Sequence, residues 1–343
     1  MTTIRDIASA AGVSIGTVSN YLNDPQLLAE ETRKKIHGKI QELDYHPSAA
    51  ARSLKSRQTL RIGLVPIIHP EDYRSTDPGD NAFLELLAGL NSIAAENGYA
   101  VLISAAPNYA QELKTYERLI GEGQVDGVVL MGIRSQDERL KLLTSRHFPF
   151  VAFGQSDISN DYPYVDVDGA AGIQMALRYL VELGHQKIAY ITPPEGLMCT
   201  RQRWEGYVRG MEESHLEIYK EYVIEGGFNE KDGHISTELL LDLPEPPTAI
   251  ITANDICAFG VMRTLQMRSL QAGKDISVIG FDDISLADHW QPSLTTIAQP
   301  FRKIGFELMQ SLFSVISGEN LLPQTMVEPK LVVRQSTGPM NNK

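Results

Sequence analysis

Cysteine is nearly absent from this chain. The only two among 343 residues, Cys199 and Cys257, stand at no metal-ligand spacing, and the eight histidines form no cluster. A disulfide framework is excluded, and a reduced compartment is expected. Long apolar runs are also missing: no stretch approaches the roughly 18 residues that a membrane helix needs, and the N-terminus carries no apolar signal segment. The expected location is therefore cytoplasmic, with no membrane partner. Phosphate-cradling, dinucleotide, zinc-protease and nucleophile-elbow motifs are all lacking. Asp166-Val167-Asp168-Gly169 begins like a calcium loop but lacks the other ligands. No metal, no cofactor and no enzymatic activity are expected. The adjacent acids Asp282 and Asp283 cannot flank a scissile glycosidic bond, so a glycosidase is set aside.

Excess positive charge is the last absence. The formal net charge is −12, which by itself argues against nucleic acid. Its distribution points the other way. Residues 1–57 hold eight Lys/Arg against six acids, a net +2, and the remainder carries −14. A mildly basic head on an acidic body binds DNA through the head alone.

That head has a definite pattern. Ile4, Ile7, Ala8 and Ala11 share one face at helical spacing, and Gly12 permits a sharp turn. Ser14 can cap a second helix, on which Val18 and Leu22 continue the apolar face. Two helices across a tight turn, the second free to enter a major groove, form a helix-turn-helix. Ser14, Ile15, Gly16, Ser19 and Asn20 point away from the apolar face, with Thr17 among them, and are the candidate DNA contacts. Asparagine can pair bidentately with adenine, and isoleucine can pack on a thymine methyl. The competing reading is a three-helix bundle with no DNA role.

A third helix is predicted over Glu30–Leu43, with Ile36, Ile40 and Leu43 inward and Arg33, Lys34, Lys35 and Lys39 outward. Tyr45 and Pro47 stop it. The following Ser48-Ala49-Ala50-Ala51-Arg52-Ser53-Leu54-Lys55 is too short to be helical alone and would order only against a partner. Leu54, large and apolar among small and basic residues, has the character of a minor-groove wedge. Equally, it could be a linker leucine that docks on the next domain.

From residue 60 onward, β-rich runs alternate with amphipathic stretches. They cover 61–68, 99–106, 126–132, 148–154, 187–192, 221–228, 248–253 and 276–283. Apolar strands separated by helices predict parallel sheets covered on both faces. Eight runs fit two doubly wound lobes, the first ending near Gly154 and the second starting at Lys187. The TTIAQPF stretch and the C-terminal helix are expected to return to the first lobe. Ligands in such sheets bind beyond the carboxyl ends of the strands. Phe228, Asn254-Asp255 and Asp282-Asp283 end strands there; Arg203 opens a helix beside them, and Asp80, Asn81 and Phe83 open the helix after the first strand. Asp255 is expected as a helix N-cap, Asp80 and Asp283 could cap their own turns, and Phe83 could be core or ligand wall. The polar 69–80 segment borders the expected cleft.

AGVSIGTVSNYLND, TRKKI, LDYHPSAAARSL and IGLV, followed in order by LGHQKIAYI, RWEGY, TAIITAND, VIGFDD, PSLTTIAQP and LVVRQST, resemble the lactose-repressor/galactose-repressor family of bacterial transcriptional regulators. The resemblance covers nearly the whole chain. It implies an α/β architecture: an all-α helix-turn-helix module plus a two-lobed doubly wound domain like type I periplasmic binding proteins. The corresponding divisions are 1–46, a hinge and linker over 47–59, an effector and dimerisation domain over 60–338, and a polar tail over 339–343. By resemblance, Ser14, Ile15, Gly16, Ser19 and Asn20 read the operator, Thr32 and Tyr45 contact its backbone or flanks, and Ser48, Ala51 and Leu54 belong to a hinge helix whose leucine levers a palindromic site. Arg203, Phe228, Asn254 and Asp282 match effector contacts, and His289 and Trp290 match a dimer interface. Three departures stand out: Asn20 where many members carry arginine, Ile15-Gly16 in place of a polar pair, and Ala29 where a serine usually caps helix three. The expected function is a sequence-specific regulator, a repressor and homodimer on double-stranded DNA, controlled by a small effector, a sugar. The alternatives are a cytosolic sugar-binding protein without a DNA role, or a regulator answering to a nucleoside or purine.

Overall fold

The computed structural model describes residues 2–45, 58–67, 81–158, 161–319 and 322–340. The chain forms two compact units, Met1–Leu60 and Arg61–Lys343. Of the candidate residues, Ser48, Ala51, Leu54 and Asp80 lie outside the described residues, as do all of 69–80 and most of the hinge sequence.

The first unit holds α1 (Ile4–Ala11), α2 (Ile15–Asn23), a short 3-10 turn (Pro25–Leu27) and α3 (Glu30–Glu42). Thr3 and Asp6 close a reciprocal capping box on α1, and those bonds from Thr3 hold the Asp6 carboxyl below its usual range. Gly12 ends α1 at φ +65°, the left-handed geometry that glycine takes without strain. Ser14 caps α2: its Oγ accepts from Thr17 N at 3.0 Å. Ala29 makes no capping bond, and Glu30 and Glu31 occupy the first turn of α3 instead, where negative charge suits the helix dipole. Ile7, Ala8, Val18, Ile36 and Tyr45 are buried at the centre. So small a core leaves the caps a large share of the stability, about 0.5–2 kcal/mol for each such side chain.

The second unit contains two six-stranded sheets. The first has the order β11-β5-β4-β3-β1-β2, from Gln324–Val327, Tyr164–Val167, Phe150–Phe153, Gly127–Leu130, Arg61–Leu64 and Ala100–Ile103. Every pairing in it is parallel. The second has the order β12-β10-β9-β8-β6-β7, from Lys330–Val332, Thr295–Ala298, Ser277–Asp282, Ala249–Ile251, Ile188–Thr192 and Val223–Glu225, and only β12 runs antiparallel. Helices cover both faces. Those of the first lobe are α4 (Asn81–Glu96), α5 (Tyr109–Gly121), α6 (Glu138–Ser145) and α12 (Phe301–Ile316). Those of the second are α7 (Gly169–Glu182), α8 (Met198–Glu213), α9 (Glu230–Leu241), α10 (Asp255–Met267) and α11 (Ser285–His289).

All eight expected runs are strands, but the lobe boundaries differ from the sequence reading. β5 was not anticipated and extends the first sheet past Gly154. TTIA, expected to return to the first lobe, pairs instead with Ser277–Asp282 in the second sheet. The return comes one element later: α12 packs on α4 and on β3, β4 and β5. The chain therefore crosses between lobes three times, near 167–169, 298–301 and 327–330. Three adjacent connections restrain two lobes to hinge motion, which puts a cleft between them.

Candidate functional site

On α2 the candidate reading residues separate cleanly from the core. Val18 is fully buried, whereas Ser14, Ile15, Gly16 and Asn20 are exposed and Thr17 and Ser19 half-exposed. Ile15 is 46% exposed, a large apolar side chain with no intramolecular reason to face solvent. Ser14 and Thr17 share a 2.8 Å hydroxyl contact, which fixes the first turn that would approach DNA. Thr32 is half-exposed on α3. Tyr45 differs from the others: it is 6% exposed and belongs to the core of the unit, so its ring serves packing. Outward lysines Lys34, Lys35 and Lys39 pair with Glu30, Glu31 and Glu42 on their own helix, and such exposed pairs contribute little to stability.

Between the lobes lies a cavity of about 180 Å³ at the carboxyl ends of both sheets. Arg203, Phe228 and Asp282, predicted from sequence, line it together. Arg203 is 7% exposed. It donates from one terminal nitrogen to Ala253 O at 2.8 Å and lies 3.6 Å over the Phe281 ring, while its Nε is buried without a partner among the described residues. A fixed guanidinium with an unused donor is a ready contact for a ligand acceptor. Asp282 adopts φ +122° and Asp283 φ +57°, consecutive residues in the left-handed region. Such strain costs of order 1–3 kcal/mol per residue and clusters at functional sites. Asp283 is held by Arg334 at 2.8 Å, and Asp282 accepts Gln299 Nε2 at 2.6 Å.

Other predicted residues take different roles. Asn254, not Asp255, is the cap of α10: its Oδ1 accepts from Cys257 N at 2.8 Å and its Nδ2 donates to Phe228 O at 3.0 Å. One bond at each end of the amide ties Asn254 to the start of α10 and to Phe228, and Asn254 is not among the described residues lining the cavity. Asp255 is wholly buried, bonded by Ile284 N at 2.9 Å and by the Thr296 hydroxyl, and burial pushes its carboxyl well above the usual range. Phe83 packs against the first-lobe core and is not among the described lining residues. Trp290 stacks on Phe259 at 4.5 Å within its own lobe, and the exposed His289 bonds Ser285 O at 2.8 Å, so the described contacts of both are intramolecular.

The cavity also holds residues the sequence reading passed over. Asp166 on β5, dismissed with the partial calcium loop, is 6% exposed and lines the cavity beside Gln155, Gln202 and Gln299. Burial raises its carboxyl, while amide donors from Gln202, Val167 and Gln155 oppose that shift. A lone acid inside a short apolar strand was the signal available. Cys199 also lines the cavity, but desolvation raises its thiol, so it is no activated nucleophile.

At the rim the lobes touch through backbone. Ser135 N donates to Gly196 O at 3.1 Å and Met198 N to Ile133 O at 2.9 Å. The first-lobe side of this contact is rigid. Buried Arg139 donates to Met131 O at 2.9 Å and Gly132 O at 2.8 Å, and pairs with Glu112 and Asp137. A buried ion network of this kind fixes geometry more than it adds stability.

A helix-turn-helix unit joined to a hinged, two-lobed ligand domain defines a ligand-responsive DNA-binding regulator. Comparison with known proteins places it more closely. Residues 3–48 match the model for bacterial regulatory proteins of the lacI family, and residues 177–337 match a periplasmic binding protein-like domain. The HTH-type transcriptional repressor PurR of Shigella dysenteriae is 32% identical over 339 residues, 98% of this chain and 97% of the relative. Among solved structures, the lac repressor dimer bound to operator and the anti-inducer ONPF superposes with a TM-score of 0.85 at 26% identity, covering 98% of this chain and 99% of that one. The complex of the transcriptional regulator CelR with cellobiose gives 0.74 at 26% identity, over 98% and 100%. The chain belongs to the lacI family, and it is a DNA-binding transcriptional repressor with an effector-binding domain. Among the described residues no helix is long and apolar enough to cross a membrane.

Proposed function

We propose that the effector of this repressor is a sugar held in the interlobe cavity by Arg203, Asp282 and Phe228, and that its binding lowers operator affinity. The observation that carries this reading is the convergence of one aromatic wall, one buried guanidinium and two carboxylates on a single cavity at the sheet ends. Ligand that favours one angle between the lobes shifts the population of DNA-competent molecules by its differential affinity for the two states. In this reading the protein is a cytoplasmic regulator, not an enzyme.

The working particle is a homodimer on a palindromic operator, with Ser14, Ile15, Gly16, Thr17, Ser19 and Asn20 reading each half-site, and Thr32 contacting the flanks. Support for dimerisation comes from the first lobe, where Leu84 of α4 is 60% exposed and Phe306 of α12 is 38% exposed beside an open groove. His289 and Trp290 belong to the same interface in this reading. Leu54 wedges the central base step of the operator.

A second reading, a nucleoside or purine effector, has its own observation: Phe228 is 39% exposed at the cavity and can stack on a planar base as well as on a sugar ring. Operator binding by the purified full-length protein, measured by anisotropy with and without monosaccharides, nucleosides and nucleobases, separates the two. A release of operator by a sugar alone supports the first reading, and release by a purine alone the second. Absence of any preferred genomic fragment over bulk competitor sinks the regulator mechanism altogether. In the same assay Leu54→Ala is expected to lose most operator affinity while retaining ligand binding; a mutant with parental operator affinity rejects the wedge.

A further inference from the structure

The cavity contains two carboxylates and three glutamines whose amide orientations are not free. Asp166 Oδ2 accepts Gln155 N at 3.2 Å, Gln155 Nε2 at 3.2 Å and Gln202 Nε2 at 3.1 Å, and Oδ1 accepts Val167 N at 2.8 Å. On the opposite lobe Asp282 Oδ1 accepts Gln299 Nε2 at 2.6 Å. An ionised carboxylate only accepts hydrogen bonds, so each amide must turn its NH2 group toward the acid. Gln155 Nε2 also meets Met326 Sδ at 3.2 Å, a weak acceptor that agrees with the same orientation. The carbonyl oxygens Oε1 of Gln155, Gln202 and Gln299 are left over, and among the described residues none of them is paired with a donor. All three residues line the cavity.

The geometry points to Asp166 as a positioning residue that sets the polarity of this cavity, so that it takes a small, uncharged, hydrogen-bond-donating ligand and rejects phosphorylated ones. This rests on the effector reading above and narrows it. Three of the four donors to Asp166 converge on Oδ2, and two of those three are glutamine side chains, so it acts chiefly through the glutamines it orients. Gln202 comes from the second lobe and Asp166 from the first, so this polarity is assembled only when the lobes are together. Burial would neutralise an unassisted acid, and the four N–H donors favour its charged form. Of the charged side chains in the described lining, Asp166 and Asp282 outnumber Arg203, so an anionic group meets net repulsion in a poorly solvated space. Arg203 Nε supplies one donor, sufficient for a ring oxygen or a carbonyl but not for a phosphate dianion. The volume of about 180 Å³ falls below the roughly 300–1,000 Å³ of sites for larger ligands, which suits a small ligand rather than an oligosaccharide. Neutral hydroxylated sugars and neutral nucleobases or nucleosides share the required donor chemistry.

The test titrates full-length protein calorimetrically with matched pairs: ribose and ribose 5-phosphate, glucose and glucose 6-phosphate, adenosine and adenosine monophosphate, with hypoxanthine as a neutral base. The expected result is one neutral ligand that binds at least about a hundredfold tighter than its phosphorylated partner, or hypoxanthine binding where no monophosphate does. Asp166→Asn, nearly the same shape, removes the charge and permits the glutamine amides to turn. It is expected to compress that ratio by about tenfold or more, a change that loss of fold would not produce. A phosphorylated ligand that binds the wild type as tightly as its neutral partner overturns the inference and leaves the effector reading standing, as does an unchanged ratio in folded Asp166→Asn. No binding by any of these probes defeats the effector reading itself, and this inference with it.

Discussion

At the scale of single residues, the cleft shows which chemistry can be read from a sequence. The convergence of Phe228 and Asp282 on one cavity was legible because aromatic and charged residues beyond strand ends are conspicuous, whereas Arg203, within α8, stood out through the family resemblance. Gln155, Gln202 and Gln299 carry no such signal, and Asp166 became meaningful only once β5 was seen to place it in the cavity. The capping role of Asn254 was not legible, since a cap and a ligand contact draw on the same amide atoms. Asp282→Ala is expected to abolish the effector response while leaving operator affinity within about twofold of parent, because the head is a separate unit. Anisotropy at saturating effector decides this, and a mutant that still responds at the parental ligand concentration rejects the assignment. His185 offers a second residue-level check. It is 4% exposed, bonded to Thr248 Oγ1 at 3.0 Å and Ser277 Oγ at 2.9 Å, and desolvation lowers its pKa. Its folded form stays neutral where the unfolded chain takes up a proton, so its contribution to stability is present above about pH 6.5 and is lost as the pH falls below that value. The raised carboxyls of Asp255 and Asp166 act in the opposite sense, so the effect is isolated as a difference. The stability gap between wild type and His185→Gln should narrow between pH 7.5 and 5.5 in thermal melts, on the order of one pKa unit below and above the unfolded value. A gap that widens on acidification contradicts a neutral His185.

At the scale of elements, the strands with continuous apolar runs were readable, and those that failed are short or polar: YVDV, QTMV and KLV. Sheet membership was harder to read, because TTIA is apolar in either lobe and its pairing with residues 279–282 is non-local. Helix glycines carried information that a propensity scale discards. A Cβ on Gly89 would stand 2.1 Å from Arg302 O, and one on Gly305 2.3 Å from Leu86 O, so α4 and α12 cross backbone to backbone. The same device joins α9 to α10, where Cβ atoms on Gly233 and Gly260 would meet the facing backbone at 2.0 Å. Gly38 in α3 has nothing within 4 Å of such an atom. Alanine gains up to about 1 kcal/mol over glycine inside a helix, but forced overpacking costs about 1–3 kcal/mol or more. Gly38→Ala should therefore raise the stability of the head by about 0.5–1 kcal/mol, whereas Gly305→Ala should lower that of the ligand domain by at least about 1 kcal/mol. Chemical denaturation of the two variants reads both signs. A stabilised Gly305→Ala protein would mean that the helices stand further apart than described.

At the scale of the whole molecule, charge is divided by task. The first 57 residues carry +2 and the rest −14, so phosphate contact belongs to the head and the acidic remainder repels DNA. Operator affinity should then fall steeply with salt, by a slope near −0.9 for each phosphate neutralised, and more steeply for a dimer than for one head. An uncharged ligand displaces no condensed counterions, so its own affinity should stay flat over the same range. Under the proposed mechanism the two sites are coupled by one free energy, about 1–3 kcal/mol or roughly 5–150-fold, and linkage requires operator to change effector affinity by the same factor with which effector changes operator affinity. Measuring both constants from 50 to 300 mM salt, each with and without the other ligand saturating, tests charge division and coupling together. Ligand affinity that drops with salt alongside operator affinity would indicate an ionic effector and contradict a cavity in which Asp166 and Asp282 outnumber Arg203. A coupling factor of one in both directions would leave the cleft a binding site with no hold on the head, since a ligand that binds both states equally shifts nothing however tightly it binds.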